Sequence, residues 1–224
     1  MSQIENLNKD QLDALQETGN IGCSHAATAV SNMIGKTVNI SVPQIKVEKT
    51  QNLDNIFLSM FGDKKIIGVY LELTDEFQGS ILMLFTKKSA LSLSDTLVGQ
   101  EPGTSTELNE MAKSAITEVG NIVVSAYTNA LGALLNSTVM LSPPTYTEEV
   151  PQGVLDKVQT TLGGDTKHAL IFDIKFTGEG NLFDSYFVLL PSPKSLDNLL
   201  EKLCCMVSSD GETNTDEYLN SLKK

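Results

Sequence analysis

The stretch ETGNI, residues Glu17–Ile21, returns as EVGNI at Glu118–Ile122, an offset of 101 residues. Both copies fall where the spacing of apolar residues predicts a helix, although glycine and asparagine are poor helix formers. The same offset holds without a gap as far as the pairing of Pro43 with Pro144; it also pairs Asp13 with Ser114, Ser24 with Ser125, Thr37 with Thr138 and Val38 with Val139. A fixed offset of this kind indicates an internal repeat, so the chain is predicted to be a duplication.

Each half shows the same order of predicted elements: a long helix, three strands and a shorter closing helix. The first half gives a helix at about Lys9–Ile34, strands TVNISV, KIIGVYLEL and GSILMLF, and a helix at about Lys88–Leu97. The second half gives a helix at about Glu107–Leu135, strands TVMLS, HALIFDIKF and DSYFVLL, and a helix at about Ser195–Met206. Asn8 and Thr106 are the predicted N-caps, and Gly99–Thr106 and Val150–Lys157 are the predicted loops.

Hairpin-connected strands flanked by helices predict an α/β fold of the α+β type, with two long helices packed on a largely antiparallel β-sheet. Each half is too short for a large core of its own, so we expect one pseudo-two-fold domain over residues 1–206. Its two repeats would cover about 9–99 and 107–206. The polar residues 207–224 are predicted to form a flexible tail.

The composition narrows the range of functions. A net charge of −12 makes a nucleic acid an unfavourable partner, and it fits either a need for solubility or a partner with a basic surface. No apolar run approaches the roughly 18–20 residues that span a bilayer, and the N-terminus does not resemble a signal peptide, so no membrane insertion and a cytoplasmic location are expected. Three cysteines and two histidines provide no disulfide framework and no recognisable metal-ligand spacing.

The repeated phrase contains two kinds of residue. At about 100° per residue, Gly19 and Gly120 face the core, where we expect the two long helices to cross. Glu17 and Asn20 lie side by side on the flank, as do Glu118 and Asn121. Such residues are ordinary on a solvated surface. Their return at identical spacing on an otherwise diverged helix favours a functional role.

This pattern resembles the CheC/CheX/FliY family of chemotaxis phosphatases, which remove phosphate from the response regulator CheY. Each copy has an acidic residue or serine, a glutamate and an asparagine on its long helix, followed by a proline further along the chain, at the family's spacing. The first copy consists of Asp13, Glu17, Asn20 and Pro43, and the second of Ser114, Glu118, Asn121 and Pro144. The resemblance covers about residues 9–206. The presence of two motif copies, without a further C-terminal switch domain, is most similar to the CheC type.

The resemblance implies two equivalent sites that hydrolyse the aspartyl-phosphate of CheY. In each, Asn20 or Asn121 would position the attacking water and Glu17 or Glu118 would anchor the regulator, with Asp13 and Ser114 serving docking. It also implies the receptor deamidase CheD as a further partner. The chain would need no cofactor or metal ion of its own, because the Mg²⁺ is expected on CheY. Pro43 and Pro144 would shape the strand behind each helix.

Two other classes compete with this interpretation. The same flanks could belong to a non-catalytic binding module or adaptor for CheD or flagellar proteins. A hydrolase that uses Cys23, or a triad of Ser24 or Ser125 with His168, is disfavoured because no neighbouring base accompanies these residues. Cys23 also aligns with Val124, so the thiol is absent from the second copy.

Overall fold

The computed structural model describes residue 7 and residues 9–162, 166–178 and 181–208. The predicted cap Asn8 and residues 209–224 of the predicted tail lie outside the described residues. The first two residues assigned to the tail, Val207 and Ser208, belong to the last helix instead.

The elements follow one another in nearly the same order in the two halves. The first half contains α1 (Lys9–Ile34), β1 (Val38–Lys49), a 3-10 turn (Thr50–Asn52), α2 (Leu53–Phe61), β2 (Ile66–Asp75), β3 (Gly79–Thr86) and α3 (Lys87–Leu97). The second half contains α4 (Glu110–Leu135), β4 (Val139–Leu141), β5 (Thr145–Glu149), α5 (Pro151–Leu162), β6 (His168–Gly178), β7 (Asn181–Pro191) and α6 (Pro193–Ser208).

In the described part of the chain, seven strands form one antiparallel sheet in the order β1-β6-β7-β3-β2-β4, with β5 also paired to β2. The hairpins β2–β3 and β6–β7 lie side by side in the middle. Each half then contributes its first strand to the hairpin of the other half: β1 pairs with β6, and β4 and β5 pair with β2. The predicted fold class, helices on a largely antiparallel sheet, is confirmed.

Both faces of the sheet are covered by helices. The long helices α1 and α4, together with α3 and α6, pack over a core that contains Ile67, Val69 and Leu71 of β2. The opposite face is covered by α2 and α5, which bury Phe57 and Val158 against the alternate strand residues. Because both faces are buried, the central strands consist of almost continuous apolar residues.

A β-bulge in β1 brings its two ends onto the same core. The β1–β6 register passes from the pair Ser41–Lys175 to the pair Gln44–Asp173, so two β1 residues oppose one residue of β6. The extra residue changes the parity of the alternation. Even-numbered apolar residues face the α1–α4 core before the bulge and odd-numbered ones face it afterwards; the residues are Val38, Ile40, Val42, Ile45 and Val47.

The long helices pack against each other, but the residue at the close approach differs from the prediction. A Cβ on Gly22 would lie 2.7 Å from the Cα of Tyr127 and 3.1 Å from the carbonyl oxygen of Ala126, so the helix backbones meet at Gly22. Gly19 and Gly120 face inward as predicted, yet they lie against the sheet. A Cβ on Gly19 would lie 3.3 Å from Val42, and one on Gly120 would lie 2.9 Å from Val69.

Two further predictions of secondary structure are wrong. Residues Val150–Lys157, expected as a loop, lie mostly within α5, because Val154, Leu155 and Val158 form a buried face that outweighs the glycine at position 153. Helix α4 begins at Glu110 instead of Glu107, because the N-cap is Asn109 and not Thr106. The Asn109 Oδ1 accepts a 2.9 Å hydrogen bond from the amide of Ala112. Sequence patterns did not indicate α2 or β5.

Candidate active site on the two long helices

The predicted flank of α1 faces outward. Asp13 is exposed, and Glu17 and Asn20 are half-buried beside it on consecutive turns of the helix. The inner side of the same turns is closed by the buried residues Leu15, Gly19 and Cys23. The amphipathic spacing of the helix therefore leaves the Glu17–Asn20 pair at the surface, on a rigid support.

The flank of α4 repeats this placement. Ser114 and Glu118 are exposed and Asn121 is half-buried, while Ile116, Val119 and Gly120 face the core. The structure therefore brings the three predicted residues of each copy onto one accessible helix face. Glu118 is more open to solvent than its counterpart Glu17.

The side chain of Asn20 is tied to the sheet. The backbone N–H of Val42 donates a 2.9 Å hydrogen bond to Asn20 Oδ1. Val42 lies in the β1 bulge, where the regular pairing with β6 is interrupted, and its side chain is buried against α1. The bulge thus turns a backbone donor toward the predicted site residue, a contact that no sequence pattern indicates.

The side chain of Asn121 lies at a groove between α1 and α4. The groove has a volume of about 400 Å³, and its polar lining includes Asn121, Ser125 and Asn129 from α4 and His25 from α1. The rest of its lining consists of small and apolar residues, among them Ile21 and Ile122. His25 and Asn129 were not predicted as site residues; only their position on the same helix faces could have indicated them.

The two prolines of the motif mark irregular points in the strands behind the helices. Pro43 lies in the β1 bulge, and Pro144 lies between β4 and β5, where the equivalent strand is broken into two pieces. Proline cannot donate to a β-ladder, which accounts for its position at such breaks.

The residues of the disfavoured hydrolase are poorly placed. Cys23 is 2% exposed, and burial raises the pKa of its thiol to about 12, so the nucleophilic thiolate is not formed near neutral pH. His168 is buried at the start of β6, opposite Lys49 of β1, and does not line the groove that contains Ser125.

Among the described residues, no group of three or more His, Cys, Asp or Glu side chains is arranged to hold a metal ion. None of the helices in the described part of the chain combines the length and the apolarity that crossing a membrane requires.

Family models match two stretches of the chain, each of which contains one motif copy. Residues 11–47, which contain the first motif copy, match the CheC-like family, and residues 67–161, which contain the second, match the chemotaxis phosphatase CheX. Among characterised relatives, the chain is 24% identical over 207 residues to the CheY-P phosphatase CheC of Bacillus subtilis (strain 168). That match covers 91% of this chain and 98% of the relative.

Solved structures show the same fold. FliY of Thermotoga maritima superposes with a TM-score of 0.69 at 24% identity, over 97% of this chain and 99% of that one. The FliM middle domain of H. pylori superposes with a TM-score of 0.64 at 12% identity, over 88% of this chain and 99% of that one.

The fold and the paired flanks define a class of protein in which two long helices over an antiparallel sheet each present a glutamate and an asparagine to solvent. Within that class, the chain is similar to the CheC/CheX/FliY family of chemotaxis phosphatases, whose models match the two motif regions.

Proposed function

We propose that this protein hydrolyses the aspartyl-phosphate of the response regulator CheY at two sites, one on α1 and one on α4. The observation that carries the proposal is the outward placement of both Glu–Asn pairs at equivalent positions of two rigid helices. The B. subtilis relative named a CheY-P phosphatase matches nearly the whole chain, which supports the same activity here. Since FliM shares the fold, the residues of the site carry the argument, not the architecture.

The proposed chemistry is the placement of a water molecule. Hydrolysis of an acyl phosphate requires water in line behind the phosphorus, opposite the leaving carboxylate, and phosphoryl transfer depends chiefly on positioning and charge stabilisation. A carboxamide has an acceptor oxygen and two N–H donors on one planar group, so Asn20 or Asn121 can orient that water. It does not take the proton itself, because an amide is not a base near neutral pH.

The glutamates have a separate role in this proposal. Glu17 or Glu118 would pair with a basic side chain of CheY near its phosphate, which holds the regulator and aligns the asparagine one turn further along the helix. Asp13 and Ser114, one turn earlier, would extend the docking surface. The Mg²⁺ that accompanies the phosphate would be bound by CheY, so the phosphatase would contribute no metal ligand.

The competing proposal is a binding module for CheD or flagellar proteins without phosphatase activity. The two proposals are separated by the rate of phosphate loss from CheY in the presence and absence of this protein. We expect a clear acceleration, and no acceleration at saturating protein would leave the binding module as the function.

The anchoring role has its own test in the same assay. Charge reversal at both Glu17 and Glu118 should raise KM, and the wild-type KM should depend on ionic strength more strongly than that of the variant. An unchanged KM would exclude the glutamates as anchors.

A further inference from the structure

The two asparagines differ in how their carboxamides are held. The backbone N–H of Val42 is a hydrogen-bond donor, so its acceptor in the Asn20 side chain must be the amide oxygen, 2.9 Å away. The oxygen therefore faces the sheet, and the NH₂ group of Asn20 is turned the other way. The structure thus fixes which end of this side chain is presented to a partner.

The bulge explains why the Val42 N–H is available. Val42 and Pro43 together oppose one residue of β6, so the regular exchange of ladder hydrogen bonds is interrupted there. A backbone N–H beneath a helix requires an acceptor, and Asn20 supplies it. The Val42 side chain is 2% exposed, which anchors the donor in place.

The second half lacks this donor. The offset of 101 residues places Pro143 at the position of Val42, and proline has no backbone N–H. Its strand is interrupted at this point, between β4 and β5. Asn121 consequently cannot receive the equivalent hydrogen bond, and its amide oxygen is not committed to the sheet by this contact.

The end of the amide that faces the partner matters for the chemistry. An attacking water must direct a lone pair at phosphorus, so a group that orients it should accept one of its hydrogens. The amide oxygen does this, whereas the NH₂ group would donate to the water and compete for the lone pair.

We propose that the two sites are unequal: Asn121 on α4 forms the fast site, and the N–H of Val42 holds back the site on α1 by keeping Asn20 Oδ1 directed toward the sheet. This inference rests on the proposed phosphatase function. Val42 is a positioning residue, since it acts only through Asn20. The amide of Asn20 must leave Val42 in each turnover, which lowers kcat roughly three- to tenfold, the range for one neutral hydrogen bond.

Single-site variants measure the inequality. Asn20→Ala leaves only the α4 site, and Asn121→Ala leaves only the α1 site. We expect the first variant to have the higher kcat for loss of phosphate from CheY, by roughly three- to tenfold, with KM values within about twofold of each other. Equal kcat values, or a faster α1 site, would overturn the inference. If the wild type itself gives no acceleration, the proposed function fails instead.

Removing the donor tests whether it causes the inequality. In the Asn121→Ala background, which leaves only the α1 site, Val42→Pro removes the backbone N–H and should raise kcat. Val42 is buried in the strand bulge, so hydrogen exchange of the Val42 amide decides the matter if Val42→Pro does not fold. An unchanged kcat in a folded Val42→Pro/Asn121→Ala variant would overturn the role of the donor.

A measurement without CheY tests the contact itself. The amide hydrogen of Val42 should exchange slowly with solvent in the wild type and faster in Asn20→Ala, while the amides of the β2–β3 hairpin remain unchanged. Equal exchange of the Val42 amide in both proteins would contradict the inference.

Discussion

Helices α1 and α4 cover the same face of one sheet and have equal lengths of 26 residues, but they have diverged on their inner sides. The flanks keep a glutamate and an asparagine at matching positions. The buried sides exchange glycine for valine and cysteine for valine, since Gly22 and Cys23 align with Val123 and Val124. Packing constrains only shape and volume, whereas the flank retains particular functional groups. Gly22 and Cys23 thus vary with the packing, whereas the residues that we assign to water placement and anchoring are the same in both helices.

The largest change in stability is expected where the helices touch. Gly22→Ala would place a Cβ 2.7 Å from the Cα of Tyr127, and backbone cannot move aside as a side chain can. We expect a loss of about 3 kcal/mol in the free energy of unfolding, at the upper end for overpacking. The midpoint of thermal unfolding should fall by roughly 5–10 °C.

Gly153→Ala in α5 is the matched control. Its added Cβ would meet Glu149 at an ordinary distance of 3.4 Å, so the gain in helix propensity should appear alone. Equal midpoints for Gly22→Ala and Gly153→Ala would mean that the helices do not meet at Gly22.

A smaller effect should separate the two glycines of the repeated phrase. A Cβ on Gly120 would lie 2.9 Å from three atoms of Val69, whereas one on Gly19 would lie 3.3 Å from a single methyl group of Val42. Gly120→Ala should destabilise by about 1–2 kcal/mol. Gly19→Ala should be close to neutral, because the gain in helix propensity of about 1 kcal/mol offsets the contact. Chemical denaturation of both variants measures the difference, and an equal loss would contradict the two packing distances.

These glycines also show what the sequence reveals. The repeat, the long helices and the hairpin strands follow from periodicities that local sequence carries. The inward direction of Gly19 and Gly120 follows from the helical period as well. Their packing partners do not, because Val42 approaches Gly19 at a bulge of β1, and Val69 lies in the opposite half of the chain from Gly120. The crossing at Gly22 has no counterpart in the second copy, so the repeat could not indicate it.

Helix α5 and the bond to Asn20 were missed for different physical reasons. The α5 segment begins with proline and soon contains Gly153, which are turn signals locally, and its helix is stabilised by burial of Val154 and Val158 against the sheet. The Val42–Asn20 bond depends on a bulge whose position emerges only when β1 pairs with β6. The alignment of Val42 with Pro143 was nevertheless visible, and it could have raised the question of unequal sites.

The smallest expected effect concerns the other diverged position. Burial raises the pKa of Cys23 to about 12 from its ordinary 9.0, so above pH 9 the unfolded chain releases a proton that the folded chain retains. Stability from this group is therefore complete below pH 9 and declines as the pH rises toward 12, by about 1.4 kcal/mol per pH unit. Cys23→Val, which copies Val124, should lose less stability than the wild type between pH 8 and pH 10. Identical losses in denaturant unfolding would contradict this assignment.

The most direct test of the proposed chemistry removes both amides at once. With CheY phosphorylated and saturating, the double variant Asn20→Ala/Asn121→Ala should lose roughly a hundredfold in kcat while KM stays within about twofold, since a positioned water contributes to the transition state more than to binding. Asn32→Ala, an exposed asparagine further along α1, should retain the wild-type rate. A double variant that removes phosphate from CheY as fast as the wild type would contradict the account.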